Sequence, residues 1–78
     1  MNKKVISVSH NIVNALDDDY TLYDDGTVLH EYDNSIYPGG FNLKENLNVD
    51  DLSDSVKHRL LISASLENKE VVRKTLKL

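Results

Sequence analysis

The chain has 78 residues, with 13 acidic and nine basic side chains and a net charge of -4. Its length confines it to one domain, and its scale buries only roughly 60–65% of the unfolded surface, which leaves a thin core and little room for a deep pocket. The absence of cysteine excludes disulfides, thiolate chemistry and Cys-based zinc sites and fits a reducing compartment. The longest apolar runs, Val5-Ile6 and Leu60-Leu61-Ile62, fall far short of the roughly 18 residues a membrane span needs.

The opening Lys3-Lys4-Val5-Ile6-Ser7-Val8-Ser9-His10 starts like a signal peptide, but its apolar stretch breaks at Ser7, Ser9 and His10 and no small-residue cleavage site follows. It reads as the first structural element of a cytoplasmic protein. Ile6, Val8, His10 and Ile12 alternate with Val5, Ser7, Ser9 and Asn11, the period of a strand. Over residues 9–16 a helix would instead align Ile12, Val13 and Leu16, so strand and helix both stay open there. Asp17 to Asp19 read as the connection to the next element.

The strongest signal is Tyr20-Thr21-Leu22-Tyr23-Asp24-Asp25-Gly26-Thr27-Val28-Leu29-His30-Glu31-Tyr32, two β-prone runs around an Asp-Gly turn. A two-residue turn sets Leu22 opposite Leu29. A three-residue turn with Gly26 left-handed sets Leu22 opposite Val28 and Tyr20 opposite His30. The second register gathers Tyr20, Leu22, Val28, His30 and Tyr32 on one face and Thr21, Tyr23, Thr27, Leu29 and Glu31 on the other. That cleaner division favours it.

Residues 34–48 read as an irregular crossing, with a turn at Pro38-Gly39-Gly40 and apolar anchors at Ile36, Tyr37, Phe41, Leu43 and Leu47. Two helices follow in residues 49–78. Asn48 or Asp50 caps the first, whose inward face is Val49, Leu52, Val56 and Leu60. Ser63-Ala64-Ser65 marks a break. Ser65 then caps a second helix from Leu66 to about Leu76, with Leu66, Val72 and Leu76 inward and a Glu70–Lys74 pair outward. The expected fold is therefore α+β: a small antiparallel β-meander of two or three strands over residues 1–33, the crossing, and two packed C-terminal helices.

Chemistry finds little purchase. Placing Gly26 at the sixth position of a calcium loop puts Thr21, Tyr23 and Tyr32 where carboxylates are needed. His10, His30 and His58 lie on three different elements, without the close spacing of a zinc site. Ser9-His10 and His30-Glu31 are sequence neighbours, which on a strand point to opposite faces. No Gly-rich phosphate loop is present. The reading is non-enzymatic, with no metal and no cofactor.

Charge is segregated along the chain: residues 1–14 carry +2, residues 15–54 carry -10 and residues 55–78 carry +4. The acidic segment coincides with the Tyr-rich hairpin, and tyrosine suits interfaces because its ring is apolar and its hydroxyl tolerates water. The expected function is recognition of a protein partner by Tyr20, Tyr23, Asp24, Asp25, Leu29 and Glu31. The alternative is a nucleic-acid-binding module using Lys57, Arg59, Lys69, Arg73 and Lys74. It ranks lower because Ser63-Ala64-Ser65 lacks the usual glycine and the chain is acidic overall. A homodimer is also open to so small a chain, as a means of covering a sheet edge or helix face.

Overall fold

The structure, a computed structural model, describes residues 3–34 and 42–78. It is an α+β fold in which an antiparallel sheet of five strands precedes two helices. β1 (Val5–Ser9) and β2 (Ile12–Val13) pair in succession with β3 (Leu16–Tyr23). β4 (Thr27–Tyr32) pairs with β3, and β5 (Leu43–Asn48) pairs with β4. A single 3-10 turn (Val49–Asp51) leads into α1 (Asp54–Ser63) and α2 (Lys69–Thr75).

The β3–β4 hairpin takes the three-residue turn: Leu22 faces Val28 and Tyr20 faces His30. Gly26 sits at φ +84°, and a Cβ placed there meets nothing within 4 Å. The cost of a side chain at this position is therefore backbone strain alone. Gly26→Val is expected to lose about 1–2 kcal/mol in urea unfolding, and a neutral effect would contradict this turn.

Residues 9–16 resolve as strand and turn. Val13 pairs with Leu16 across Asn14 (φ 53°) and Ala15 (φ 64°), the two left-handed residues of a type I′ turn. Asparagine tolerates that conformation, whereas alanine pays for its Cβ. Ala15→Gly is expected to raise stability by about 0.5–1 kcal/mol, read as a higher urea midpoint at unchanged m value.

Because the chain reverses at residues 14 and 15, Asp17 to Asp19 are not a connection. They lie inside β3, and Asp18 alternates to the opposite side of the sheet from its neighbours.

The strand count of two or three is also corrected, first by β2 and then by β5. Leu43 to Asn48, expected in the irregular crossing, runs antiparallel to β4 and sets Tyr32 opposite Leu43, His30 opposite Glu45 and Val28 opposite Leu47. The residues are poor strand formers, and pairing with β4 supplies what propensity does not. The Pro38-Gly39-Gly40 turn and the anchors Ile36, Tyr37 and Phe41 lie outside the described residues.

In the helical part, Asn48 precedes the 3-10 turn, where its N–H donates to the Asp51 carboxylate (3.0 Å). α1 itself is capped by Ser53, whose hydroxyl accepts from the Val56 N–H (3.3 Å). α1 ends at Ser63, as the break predicts. The second helix is shorter than its periodicity suggests. It starts at Lys69, leaving Leu66 90% exposed rather than inward. Glu70 pairs with Arg73, one residue nearer than the expected Lys74.

The helices cover one face of the sheet. Ile6, Leu22 and Val28 meet Val49, Leu60, Ala64, Val72 and Leu76 in the core, with Leu47, Leu52, Val56 and Leu61 packed half-buried around them. A bulge between Val5 and Ser7 turns both Ile6 and Ser7 inward. The Ser7 hydroxyl then donates to the Leu60 carbonyl (2.6 Å), one of the last four of α1 that the helix cannot satisfy itself. No helix of the described residues is long and apolar enough to cross a membrane.

Candidate protein-binding surface

Strand alternation distributes the polar side chains over two faces with different chemistry. On the helix side, past the end of the apolar core, Asp18, Tyr20, His30 and Glu45 form one cluster with Arg59 of α1. His30 lies between Tyr20 and Tyr32, with ring centroids 4.1 and 4.5 Å away and all three planes nearly parallel. Its Nε2 is 2.6 Å from Asp18 Oδ1, and its Nδ1 is 3.3 Å from Glu45 Oε1. Arg59 donates to the Asp18 carboxylate (3.0 Å), the Asp18 carbonyl (2.9 Å) and the Ser9 hydroxyl (3.2 Å). Burial pushes the Asp18 carboxyl up, but the hydrogen bonds and charges of His30 and Arg59 outweigh it and hold the group below its ordinary value. Burial and the nearby Asp18 charge push the Tyr20 phenol up. Every ring nitrogen and guanidinium arm in this cluster that faces a partner faces one inside the molecule, so the cluster ties β1, β3, β4, β5 and α1 together.

The opposite face carries no helix among the described residues. The strand pairings arrange it in rows across the sheet. Val5 faces Tyr23, and the next row runs Val8, Thr21, Leu29 and Asn46. The third runs Asp19, Glu31 and Lys44, and beyond it Ile12 faces Asp17. Val8, Tyr23 and Leu29 are half-buried, while Val5 is 45% and Ile12 69% exposed. Lys3 lies over the Tyr23 ring, 4.3 Å from its centroid. Lys44 reaches Glu31 at 3.9 Å, and His10 Nδ1 is 3.3 Å from Asp19. An apolar strip at the hairpin-tip end thus borders an acidic one.

The residues expected to bind a partner are divided by this arrangement. Tyr23, Leu29 and Glu31 share the open face. Tyr20 is on the other side, stacked on His30, and cannot join them. Asp24 and Asp25 sit in the turn, engaged locally: Asp24 accepts from the Lys4 N–H (3.0 Å) and Asp25 from the Thr27 N–H (3.0 Å). The hydrogen bonds from Thr27 hold the Asp25 carboxyl below its ordinary value. Val8, Ile12, Asp17 and Asp19 join the open face without having been anticipated. For Ile12, Asp17 and Asp19 the signal was the alternation itself, hidden by an unmarked turn at Asn14-Ala15, whereas Val8, which alternation sets beside Ile6, reaches the open face through the bulge between Val5 and Ser7.

The basic residues are likewise scattered. Arg59 is committed to Asp18. Arg73 pairs with Glu70 and donates to the Leu78 carbonyl (2.9 Å). Lys77 pairs with Asp50 at 2.8 Å, a contact that holds the Asp50 carboxyl below its ordinary value. Lys57 and Lys69 are half-buried and Lys74 is exposed. Among the described residues no three His, Asp or Glu side chains converge as a metal site. Comparison with protein-family models, with curated proteins and with solved structures gives no match.

Proposed function

We propose that this is a small non-enzymatic binding protein that recognises a protein partner through the open face of its sheet. The observation that carries the reading is the juxtaposition of half-buried Tyr23, Leu29 and Val8 on a face that no described helix covers, bordered by Asp17, Asp19 and Glu31. An apolar centre with a polar rim is the anatomy of a protein interface, and a one-sided sheet of this width has room for a second layer. The turn residues Asp24 and Asp25 stand at the edge of this surface, and Tyr20 is not part of it.

The nucleic-acid reading draws less support. A phosphate-binding surface needs cations turned outward together, whereas Arg59 turns into the sheet and Arg73 and Lys77 are paired with carboxylates. The test is capture from the native host with the parent protein, Leu29→Arg and Lys74→Glu, read by mass spectrometry and by nucleic-acid content. A protein partner retained by Lys74→Glu and lost with Leu29→Arg is the expected result. Nucleic acid lost with Lys74→Glu would overturn it.

A further inference from the structure

We infer that the partner engages this face with a lysine or arginine side chain seated between Asp17 and Asp19, beside an apolar side chain resting on Leu29. This rests on the protein-binding reading above and specifies the partner's chemistry. The seat is a groove of about 470 Å³ lined by His10, Asn11, Ile12, Asp17 and Asp19. It exists because the type I′ turn brings Ile12 directly opposite Asp17, while the break between β1 and β2 opens the sheet edge at His10 and Asn11.

Two independent features of the groove match one ligand. Ile12 offers an exposed apolar wall, which a carboxylate cluster alone would not need and which the aliphatic stem of lysine or arginine covers well. At the groove's other side stand the carboxylates for the cationic head. Asp19 is fixed in place: its Oδ1 lies 3.3 Å from the Asn11 N–H and 3.3 Å from His10 Nδ1. The Asp17 carboxylate is exposed and makes no hydrogen bond or ion pair among the described residues. Glu31, directly across from Asp19, extends the negative potential, offset in part by Lys44 at 3.9 Å. Leu29 and Val8 lie two residues along their strands from this row, about 7 Å away. One partner segment therefore spans the cation seat and the apolar strip.

The test is a residue-resolved NMR titration at 0.15 M salt with three synthetic peptides. All share one leucine in a Gly/Ser background and differ only in carrying Arg, Gln or Glu two residues from it. Argininamide alone is the control for a small cationic ligand. The Arg peptide is expected to shift the amides of Ile12, Asp17, Asp19 and Leu29 and to bind at least tenfold tighter than the Gln peptide and than argininamide. Asp17→Asn with Asp19→Asn, the first on an exposed carboxylate and the second on a half-buried one, is expected to remove that preference. Equal binding of the Gln and Arg peptides with shifts at Val8 and Leu29 overturns the cation seat and leaves the open-face reading standing. Shifts confined to α1 and α2 overturn both. No shift with any peptide up to several millimolar overturns the seat, while the capture experiment with Leu29→Arg still decides the wider reading. Argininamide binding as tightly as the Arg peptide overturns the macromolecular partner in favour of a small cation.

Discussion

Leu60→Ala is expected to lower the unfolding free energy by about 2–5 kcal/mol. For a chain whose core supplies only about 3–5 kcal/mol in total, that leaves the variant largely unfolded at room temperature. Leu60 is fully buried where α1 crosses the sheet, in contact with the cluster that includes Ile6, Leu22, Val72 and Leu76. Its truncation opens a cavity at the junction of both layers, and relaxation is limited because the Leu60 carbonyl is also tied to β1 through Ser7. Circular dichroism through a urea titration checks it. A cooperative transition within about 1 kcal/mol of the parent would show that this junction is not the core. Leu66→Ala provides the contrast. Leu66 looks equally apolar in sequence but is 90% exposed, so its loss is expected to stay within about 0.5 kcal/mol.

That contrast marks what the sequence could and could not reveal. The β3–β4 hairpin was legible to the register, because an Asp-Gly turn and a clean division of side chains over two faces select one pairing. Val56 and Leu60 on the α1 face and the break after Ser63 were legible from spacing and composition, whereas Val49 and Leu52, at the same helical spacing, precede α1 in and just after the 3-10 turn. The earlier hairpin was not, since its turn is Asn14-Ala15 and alanine at positive φ carries no sequence signal. Missing it made Asp17 to Asp19 look like a loop and hid half of the open face. β5 was hidden for a different reason. Glu45 shares the helix-side face of Leu43 and Leu47 and breaks their alternation, and a carboxylate is acceptable there because it lies past the apolar core, exposed to water beside His30. The start of α2 was misplaced because Leu66 is apolar and follows Ser65, a good capping residue, although the chain enters the helix only at Lys69. Arg59 counts among the candidate nucleic-acid-binding cations in the sequence because the carboxylate that claims it lies 41 residues away.

Asp18 ties these long-range features together, and its removal gives the second large effect. Asp18→Asn keeps the shape of the side chain but strips its charge and replaces one acceptor oxygen with an NH2 donor, so the Arg59 guanidinium and the His30 ring no longer share a carboxylate. Hydrogen bonds to charged groups contribute about 1.5–3 kcal/mol each. With the site partly open to water, the expected loss at pH 7 is about 1–3 kcal/mol in total. The loss depends on pH in a definite sense. The folded-state carboxyl is held below its ordinary value of 3.8, so the unfolded chain binds the proton more readily. Asp18 therefore contributes fully above the ordinary carboxylate range, and that contribution disappears as the pH falls below it through the folded-state value. Asp25, Asp50 and Glu70 are lowered as well, so the parent loses stability in acid through several groups and the variant retains part of that slope. What distinguishes Asp18 is the difference between the two proteins. Urea unfolding of parent and Asp18→Asn at pH 7, 5, 4 and 3 is expected to show a gap that is present at pH 7 and 5 and narrows below about pH 4. A gap as wide at pH 3 as at pH 7 would mean that Asp18 serves the cluster through its shape and not its charge.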